Sequence, residues 1–227
     1  MSFIEDYDVI VNRNDIFYRR ICQKKTIINN LSEKDLDEGY MLNFPYMNLY
    51  FSCKSYTDSI PDSKRFNRAG IIPYTVIDNK KFFCLGIDAM YGTLTDFGGG
   101  VKRSENFVEA ACRELEEESL GIFNFTTKEL MEKVRKNSTT IYDSYTAIIF
   151  LNVMIERIED IVDLYDYKFK RETGKIENSA VLWIPEDIFF YLIKSGKSIR
   201  NGKILYPSVY KVVNDLLRSV SNINEIV

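Results

Sequence analysis

The sequence predicts an α+β or mixed α/β sandwich, a sheet layered with helices, and three observations predict it. Two apolar, β-branched and aromatic runs, "GIIPYTVI" (70–77) and "KFFCLGID" (81–88), lie on either side of the turn-forming "DNK". Three glycines then precede an acidic stretch whose apolar residues recur at helical spacing, "GGGVKRSENFVEAACRELEEES" (98–119). Further strand-like and helix-like segments follow, without the regular βαβ alternation of a doubly wound parallel sheet.

Composition narrows the chemistry. A chain of 227 residues with 45% apolar content is long enough to bury a full core and reads as one domain with extensions. Its net charge of −3 gives no general attraction to nucleic acid or membrane. No secretory signal pattern and no membrane-length apolar run stand out, so the expected location is intracellular, in the cytoplasm. Cys22, Cys53, Cys84 and Cys112 form no CxxC pair and read as buried thiols. The chain has no histidine, which excludes Ser-His-Asp triads, histidine-ligated zinc and histidine acid–base chemistry. Carboxylate, Lys, Tyr, Cys or a metal held by oxygen ligands remains, and oxygen ligands select hard cations such as Mg²⁺ or Mn²⁺.

Residues 1–65 mix apolar and charged residues without a clear period and read as an ordered accessory region, with aromatic clusters such as "NFPYMNLYFSC" (43–53). The two runs at 70–88 form a hairpin, and Pro73 places the first strand at an edge or a bulge. Ser104 is the expected N-cap of a helix over roughly 105–119. "TTKELMEKVRKN" (126–137) reads as a shorter helix and "TIYDSYTAIIFLNVMI" (140–155) as a buried strand. "ERIEDIVDLYDY" (156–167) is a helix or ordered loop, and "SAVLWIPEDIFFYLI" (179–193) a strand that Pro185 ends before another helix. The stretch 194–227, with Lys194, Lys197, Arg200, Lys203, Lys211 and Arg218, is expected as a basic helical tail packed on the domain. The glycine run lacks the GK[ST] ending of a P-loop, and no GxGxxG is present.

On the acidic helix, Val108, Ala111, Cys112 and Leu115 form one stripe at i, i+3, i+4, i+7 and face the core. Glu114, Glu117 and Glu118 fall together on one flank, within reach of a shared ion. Glu109, Arg113 and Glu116 lie on the other side, with Arg113 spaced to hold Glu117 or Glu109. Glu105 lies at the positive end of the helix dipole and either stabilises the helix or joins the site. The competing reading is a solvated, salt-bridged surface helix. The glycines, which let backbone approach a ligand closely, weigh against it.

The stretch resembles the Nudix box, G-x5-E-x7-R-E-U-x-E-E-x-G-U with U aliphatic. It matches at Gly99, Glu105, Arg113, Glu114, Leu115, Glu117 and Glu118. The closing glycine of the pattern falls on Leu120, with Gly121 one residue later, as though the helix ran one residue longer before its left-handed turn. The resemblance implies a Nudix α/β/α sandwich with a mixed sheet over residues 66–193. "VLWIPEDIF" (181–189) is similar to the segment that closes many such domains.

Members of that family hydrolyse a nucleoside diphosphate linked to some group X, or another pyrophosphate, with a divalent cation. The resemblance implies Mg²⁺ or Mn²⁺ on Glu114, Glu117 and Glu118, with Glu114 alternatively orienting the base. Arg113 is then a structural clamp. The backbone of Gly98, Gly99 and Gly100 is a further contact to metal or phosphate. In many relatives the general base or another ligand is a glutamate downstream of the box; Glu156, Glu159 and Glu177 are candidates, and Glu177 is preferred. Tyr46, Tyr50, Phe51 or Tyr91 could stack on a base, although with 15 Tyr and 15 Phe in the chain most aromatics belong to the core. "KRFNR" (64–68) and the basic tail could contact phosphates. The expected substrate is a small diphosphate compound. The alternatives are an mRNA 5′ cap, which would make the chain a decapping enzyme, and a non-catalytic ligand-binding module on the same fold.

Overall fold

The computed structural model describes residues 53–90, 94–142, 145–187, 189, 198–200 and 203–205. The first strand, β1 (Cys53–Tyr56), leads through a 3₁₀ turn (Thr57–Ser59) toward the expected hairpin of β2 (Arg68–Ile77) and β3 (Lys80–Asp88). Asp78 and Asn79 join them, and both take positive φ, 49° and 61°. Positive φ at both central residues is the geometry whose twist suits a two-residue hairpin. Two short strands follow, β4 (Leu94–Thr95) and β5 (Phe97–Gly100), then the helices α1 (Phe107–Glu118) and α2 (Thr127–Asn137).

The run at 140–155, expected as one strand, is two. β6 (Ser138–Tyr142) and β7 (Thr146–Asn152) pair antiparallel, because the polar "DS" at 143–144 interrupts the apolar pattern. Next come α3 (Ile158–Phe169) and β8 (Asn178–Pro185). Residues 53–65, grouped in the sequence reading with the accessory region, contribute β1 to this sheet as the antiparallel neighbour of β6. In the C-terminal stretch expected to be helical, β9 (Ser198–Arg200) and β10 (Lys203–Leu205) pair antiparallel. The sequence between them is Asn-Gly, the dipeptide that most favours a tight hairpin. Residues 1–52, with Cys22, Tyr46, Tyr50 and Phe51, lie outside the described residues, as do Tyr91 and the tail residues Lys194, Lys197, Lys211 and Arg218.

The eight-stranded sheet runs β1-β6-β7-β2-β3-β4, with β5 paired to β2 and β8 paired to β3. It is mixed: β2 and β7 are parallel, and the other pairs are antiparallel. Successive residues of a strand face opposite sides of the sheet. Phe189, after β8, stacks on Phe83 at 4.2 Å, whereas Trp183, the register partner of the next residue Cys84, meets Phe123 beyond α1 at 6.4 Å. Packing segments therefore cover both faces, giving the layered α/β/α arrangement.

The partners of β2 position the residues of the site. β2 pairs with β3 only from Tyr74 to Ile77, and with β5 on its earlier residues Arg68 to Ile71. β3 in turn leaves β2 and takes β4 as partner at Gly86 and Ile87. The two strands splay, and β4 and β5 fill the split, one on each. Pro73 lies where the partner of β2 changes from β5 to β3. It is thus in the interior of the sheet rather than at an edge, at a place where its missing N–H costs no hydrogen bond to either strand.

Candidate active site

The split in the sheet ends at Asp96, the single residue between β4 and β5. Asp96 is fully buried, and the guanidinium of Arg68 meets it with a fork, Nη1 to Oδ2 at 2.8 Å and Nη2 to Oδ1 at 2.6 Å. Space for this pair comes from glycines. Gly70 and Gly98 face each other in register, and a Cβ on Gly70 would collide with Oδ2 of Asp96. A Cβ on Gly98 would stand 2.5 Å from the Cα of Gly70. Two bare backbones must pass close together here, which glycine alone permits.

β5 then delivers its glycines to α1, one contact each. Gly98 donates its N–H to Oε2 of Glu118 at 3.0 Å. Gly99 leaves room for Glu114, since a Cβ there would lie 2.5 Å from Oε1. The carbonyl oxygen of Gly100 accepts from Nη2 of Arg113 at 3.2 Å. The three glycines ahead of the acidic helix are therefore the surface against which its charged residues pack.

The helix starts later than Ser104 suggests. Asn106 is the N-cap, accepting from the N–H groups of Val108 and Glu109, while Glu109 accepts from the Asn106 N–H at 2.8 Å. This reciprocal capping box occupies Glu109, so Arg113 pairs elsewhere. It grips both oxygens of Glu105 through Nε at 2.8 Å and Nη2 at 3.1 Å, and Nη1 reaches Glu114 at 2.6 Å and Glu117 at 3.2 Å. The hydrogen bond from Arg113 holds the Glu105 carboxyl below its ordinary value, and its carboxylate partners raise Arg113 further. The expected core stripe is buried as read: Val108, Ala111, Cys112 and Leu115, joined by Phe107 and Ala110.

At its C-terminus α1 closes without the glycine of the motif. The helix does not run on; it ends at Glu118, and Leu120 itself adopts the left-handed conformation at φ 56°, followed by Gly121 at 62°. The Leu120 N–H bonds the Glu117 carbonyl oxygen at 3.3 Å and the Gly121 N–H that of Glu116 at 3.0 Å, the pair of bonds of a Schellman turn. Lys168 on α3 donates to the carbonyl oxygens of both Leu120, 2.8 Å, and Gly121, 3.1 Å.

The acids divide by environment. Glu118 is pushed up to about 8, first by burial and then by the negative charges of Asp96, Glu114 and Glu177, against the single N–H of Gly98. Glu114 is 13% exposed and tucked under Gly99, whereas Glu117 is 59% exposed and turned to Arg113. Glu105, Glu109, Glu116 and Glu117 line an open cavity of about 530 Å³ with Arg113, Thr127 and Met131. No three His, Cys, Asp or Glu converge on one point among the described residues. Glu177, 56% exposed and 3.2 Å from Lys175, acts on Glu118, whereas Glu156 and Glu159 are exposed on and before the first turn of α3. Cys84 and Cys112 are free and buried, and burial pushes both thiols up, Cys112 to about 12, which removes them as nucleophiles.

Within the segment 64–68, Arg68 is unavailable to a phosphate because it is paired with Asp96, and Phe66 is core, whereas Lys64, 4.1 Å from the Tyr142 ring, and Arg65 are exposed. The Arg68–Asp96 pair went unread in the sequence because its partners stand 28 residues apart and belong to no spacing rule. A glycine at 70, opposite another at 98, was the one available signal.

The residues of the seven-position pattern thus sit together on one strand–helix junction: Gly99 under Glu114, Arg113 between Glu105 and Glu117, Leu115 in the core, and Glu118 on Gly98. The similarity is to Nudix hydrolases. Solved structures similar to the chain include a Nudix hydrolase from M. smegmatis, RenU, at 14% identity over 70% of this chain and 89% of that one, with a TM-score of 0.39. Another is a C. elegans Ap4A hydrolase, at 17% identity over 55% and 83%, TM-score 0.30. A third is the NUDIX domain of Shewanella oneidensis NrtR, complexed with ADP ribose, at 9% identity over 83% and 99%, TM-score 0.35. No family model matches the sequence, and no curated protein does. No helix among the described residues is long and apolar enough to cross a membrane.

Proposed function

We propose that the chain is a metal-dependent Nudix-type hydrolase that cleaves the pyrophosphate linkage of a nucleoside diphosphate linked to X or of a similar small diphosphate. One observation carries this reading: Glu118, a part-buried carboxyl that accepts the Gly98 N–H at 3.0 Å and is raised by burial and by the charges of Asp96, Glu114 and Glu177. Asp96, Glu114 and Glu177 each have a basic partner, whereas Glu118 is held by a backbone N–H; a carboxylate so placed suits a divalent cation, whose charge favours its ionised form.

The donor chemistry suits such an ion, and Glu117, which faces Arg113 in this structure, would have to turn toward Glu114 and Glu118 to join it. Only oxygen atoms are offered, as Mg²⁺ or Mn²⁺ requires. Glu114 and Glu118 come to neighbouring residues of β5, and the missing Cβ of Gly99 keeps that approach open. Glu114, Glu117 and Glu118 would hold the cation together with the Gly99 backbone. Bound there, Mg²⁺ or Mn²⁺ neutralises diphosphate charge and lowers the pKa of an attacking water. Arg113 keeps Glu105, Glu114 and Glu117 in register along the helix. Glu177, the downstream candidate whose charge reaches Glu118, is the preferred general base. The cavity beside Glu117 has the volume of a small-molecule site. Its acidic lining suits a substrate that arrives with its own cations.

The test is a mass-spectrometric screen of nucleotide-derived diphosphates and capped RNA with Mg²⁺ or Mn²⁺, comparing the native chain with Glu117→Gln/Glu118→Gln. Metal-dependent turnover of small diphosphates by the native chain alone is the expected result. Turnover confined to capped RNA, with binding that falls steeply as salt rises, would assign decapping instead. Diphosphate binding by folded protein with no turnover of any compound would assign a ligand-binding module.

A further inference from the structure

Arg68 and Asp96 stand outside the motif, yet they are wired into it. Nη2 of Arg68, besides bonding Asp96, donates to the carbonyl oxygen of Gly98 at 3.1 Å. The N–H of that same residue holds Oε2 of Glu118 at 3.0 Å. One residue of β5 therefore joins the guanidinium to the carboxylate.

The connection matters because of what Gly98 is. Three consecutive glycines have no side chains to restrict φ, so the direction of their backbone depends on pairing with β2 and on whatever else holds them. The close passage of Gly98 over Gly70 forbids a side chain that would stiffen it. Yet its N–H must point steadily at Glu118. A bond to its carbonyl oxygen restricts the dihedral freedom that glycine otherwise keeps. Arg68 supplies that bond, and its own direction is set by the fork on fully buried Asp96. Asp96 in turn needs the missing Cβ of Gly70. Stability alone is a weak reason for such a construction, because the desolvation of a buried ion pair largely offsets its attraction.

We propose that Arg68, locked by Asp96, is a positioning residue for Glu118: it fixes the Gly98 backbone so that the Gly98 N–H presents the carboxylate to the cation. The proposal rests on reading Glu118 as a cation ligand, and the test separates the two ideas. Two full-length variants leave the local net charge unchanged. Arg68→Lys keeps the charge and loses the fork, and Arg68→Gln/Asp96→Asn removes both charges together. In metal-free protein the Gly98 amide proton, held downfield by its hydrogen bond to Glu118, is expected to move upfield in both variants by ¹⁵N-resolved NMR. Mn²⁺ affinity, from free-ion EPR, is expected to fall about 10- to 100-fold, the usual effect of losing a group behind a metal ligand. Should one variant fail to fold, the other decides. A cooperative melt with an unmoved Gly98 amide and Mn²⁺ affinity within about twofold of native would overturn the proposal, even if the melting temperature dropped. If the native chain itself binds no Mn²⁺, the cation reading fails, and the Gly98 amide still decides whether Arg68 positions Glu118.

Discussion

The two flanks of α1 are made of the same residue and have opposite characters. On the outer flank each glutamate has found a partner. Glu109 caps the helix, Glu105 is gripped by both ends of the Arg113 fork, and Glu117 shares the same guanidinium. On the inner flank Glu118 has one N–H; the charges of Asp96, Glu114 and Glu177 raise it, and the nearby Arg68 guanidinium is forked on Asp96. Composition cannot distinguish the two flanks; the strand behind the helix does. β5 brings three glycines and a buried aspartate to one side, where Arg68 is taken up by Asp96 and Arg113 by Glu114, and Glu118 meets the Gly98 backbone. A glutamate held by one backbone N–H, one turn from glutamates gripped by Arg113 or by the helix cap, marks where a positive charge has still to arrive.

The sharpest way to break this comparison is to exchange a charge on each flank. Glu118→Gln should lower metal-dependent turnover by on the order of a thousandfold, several kcal/mol of lost charge stabilisation, while Glu116→Gln on the outer flank stays within about twofold. Metal-free Glu118→Gln should also melt higher than native, because it removes the crowded charge. A variant that lost activity and stability together would make Glu118 a structural residue. The glycines sharpen the contrast next. Gly98→Ala drives a Cβ into the Gly70 backbone and should destabilise the fold by about 3 kcal/mol or more, whereas Gly99→Ala meets only the movable end of Glu114. Gly99→Ala should melt close to native and yet bind Mn²⁺ about tenfold more weakly. Equal melting losses in both would mean that Gly99 serves the strand and not the carboxylate.

How much of this could be read from the sequence follows from the range of the forces involved. The core stripe of α1, the β2–β3 hairpin and the α2 helix are set by neighbours three, four or a few residues away, and each lies within a residue or two of its expected place. The N-cap was misplaced by two residues because Ser104 and Asn106 are both good caps, and only Asn106 has a glutamate three residues on that closes the box. Spacing also placed Arg113 within reach of Glu117 and Glu109; the contact with Glu117 forms, and Glu109 is taken by the helix cap instead. The splayed sheet, the Arg68–Asp96 pair and the Lys168 bonds depend on where distant segments come to lie, and no local pattern carries them.

The charge difference between the flanks has a pH signature. With its folded value raised to about 8 against about 4.5 in an unfolded chain, Glu118 keeps a proton that the unfolded state gives up between those limits. Its contribution to stability is therefore fully present below about 4.5 and is lost as pH rises through about 8. Metal-free protein should melt progressively lower from about pH 5 to pH 8, and saturating Mg²⁺ or Mn²⁺ should remove most of that slope by favouring the ionised carboxylate. Glu118→Gln should be flat over the same range. A slope that persisted in that variant would place the titrating group elsewhere.

The smallest effect tests how the inner flank ends. Leu120 stands in a left-handed conformation that costs a side-chain-bearing residue about 1–2 kcal/mol, and it does so while packing part of its side chain on the core. Lys168, reaching from α3 to the carbonyl oxygens of Leu120 and Gly121, offsets the strain with two charged hydrogen bonds. Lys168→Met should therefore lower the melting temperature by several degrees, about 1–3 kcal/mol, and Leu120→Gly should recover part of that loss. In the native background Leu120→Gly exchanges relief of strain for lost apolar contact, two terms of similar size, so its melting temperature should move by no more than a few degrees. A large drop on Leu120→Gly would show that apolar packing, with the lysine only assisting, keeps the last turn of α1 closed behind Glu118.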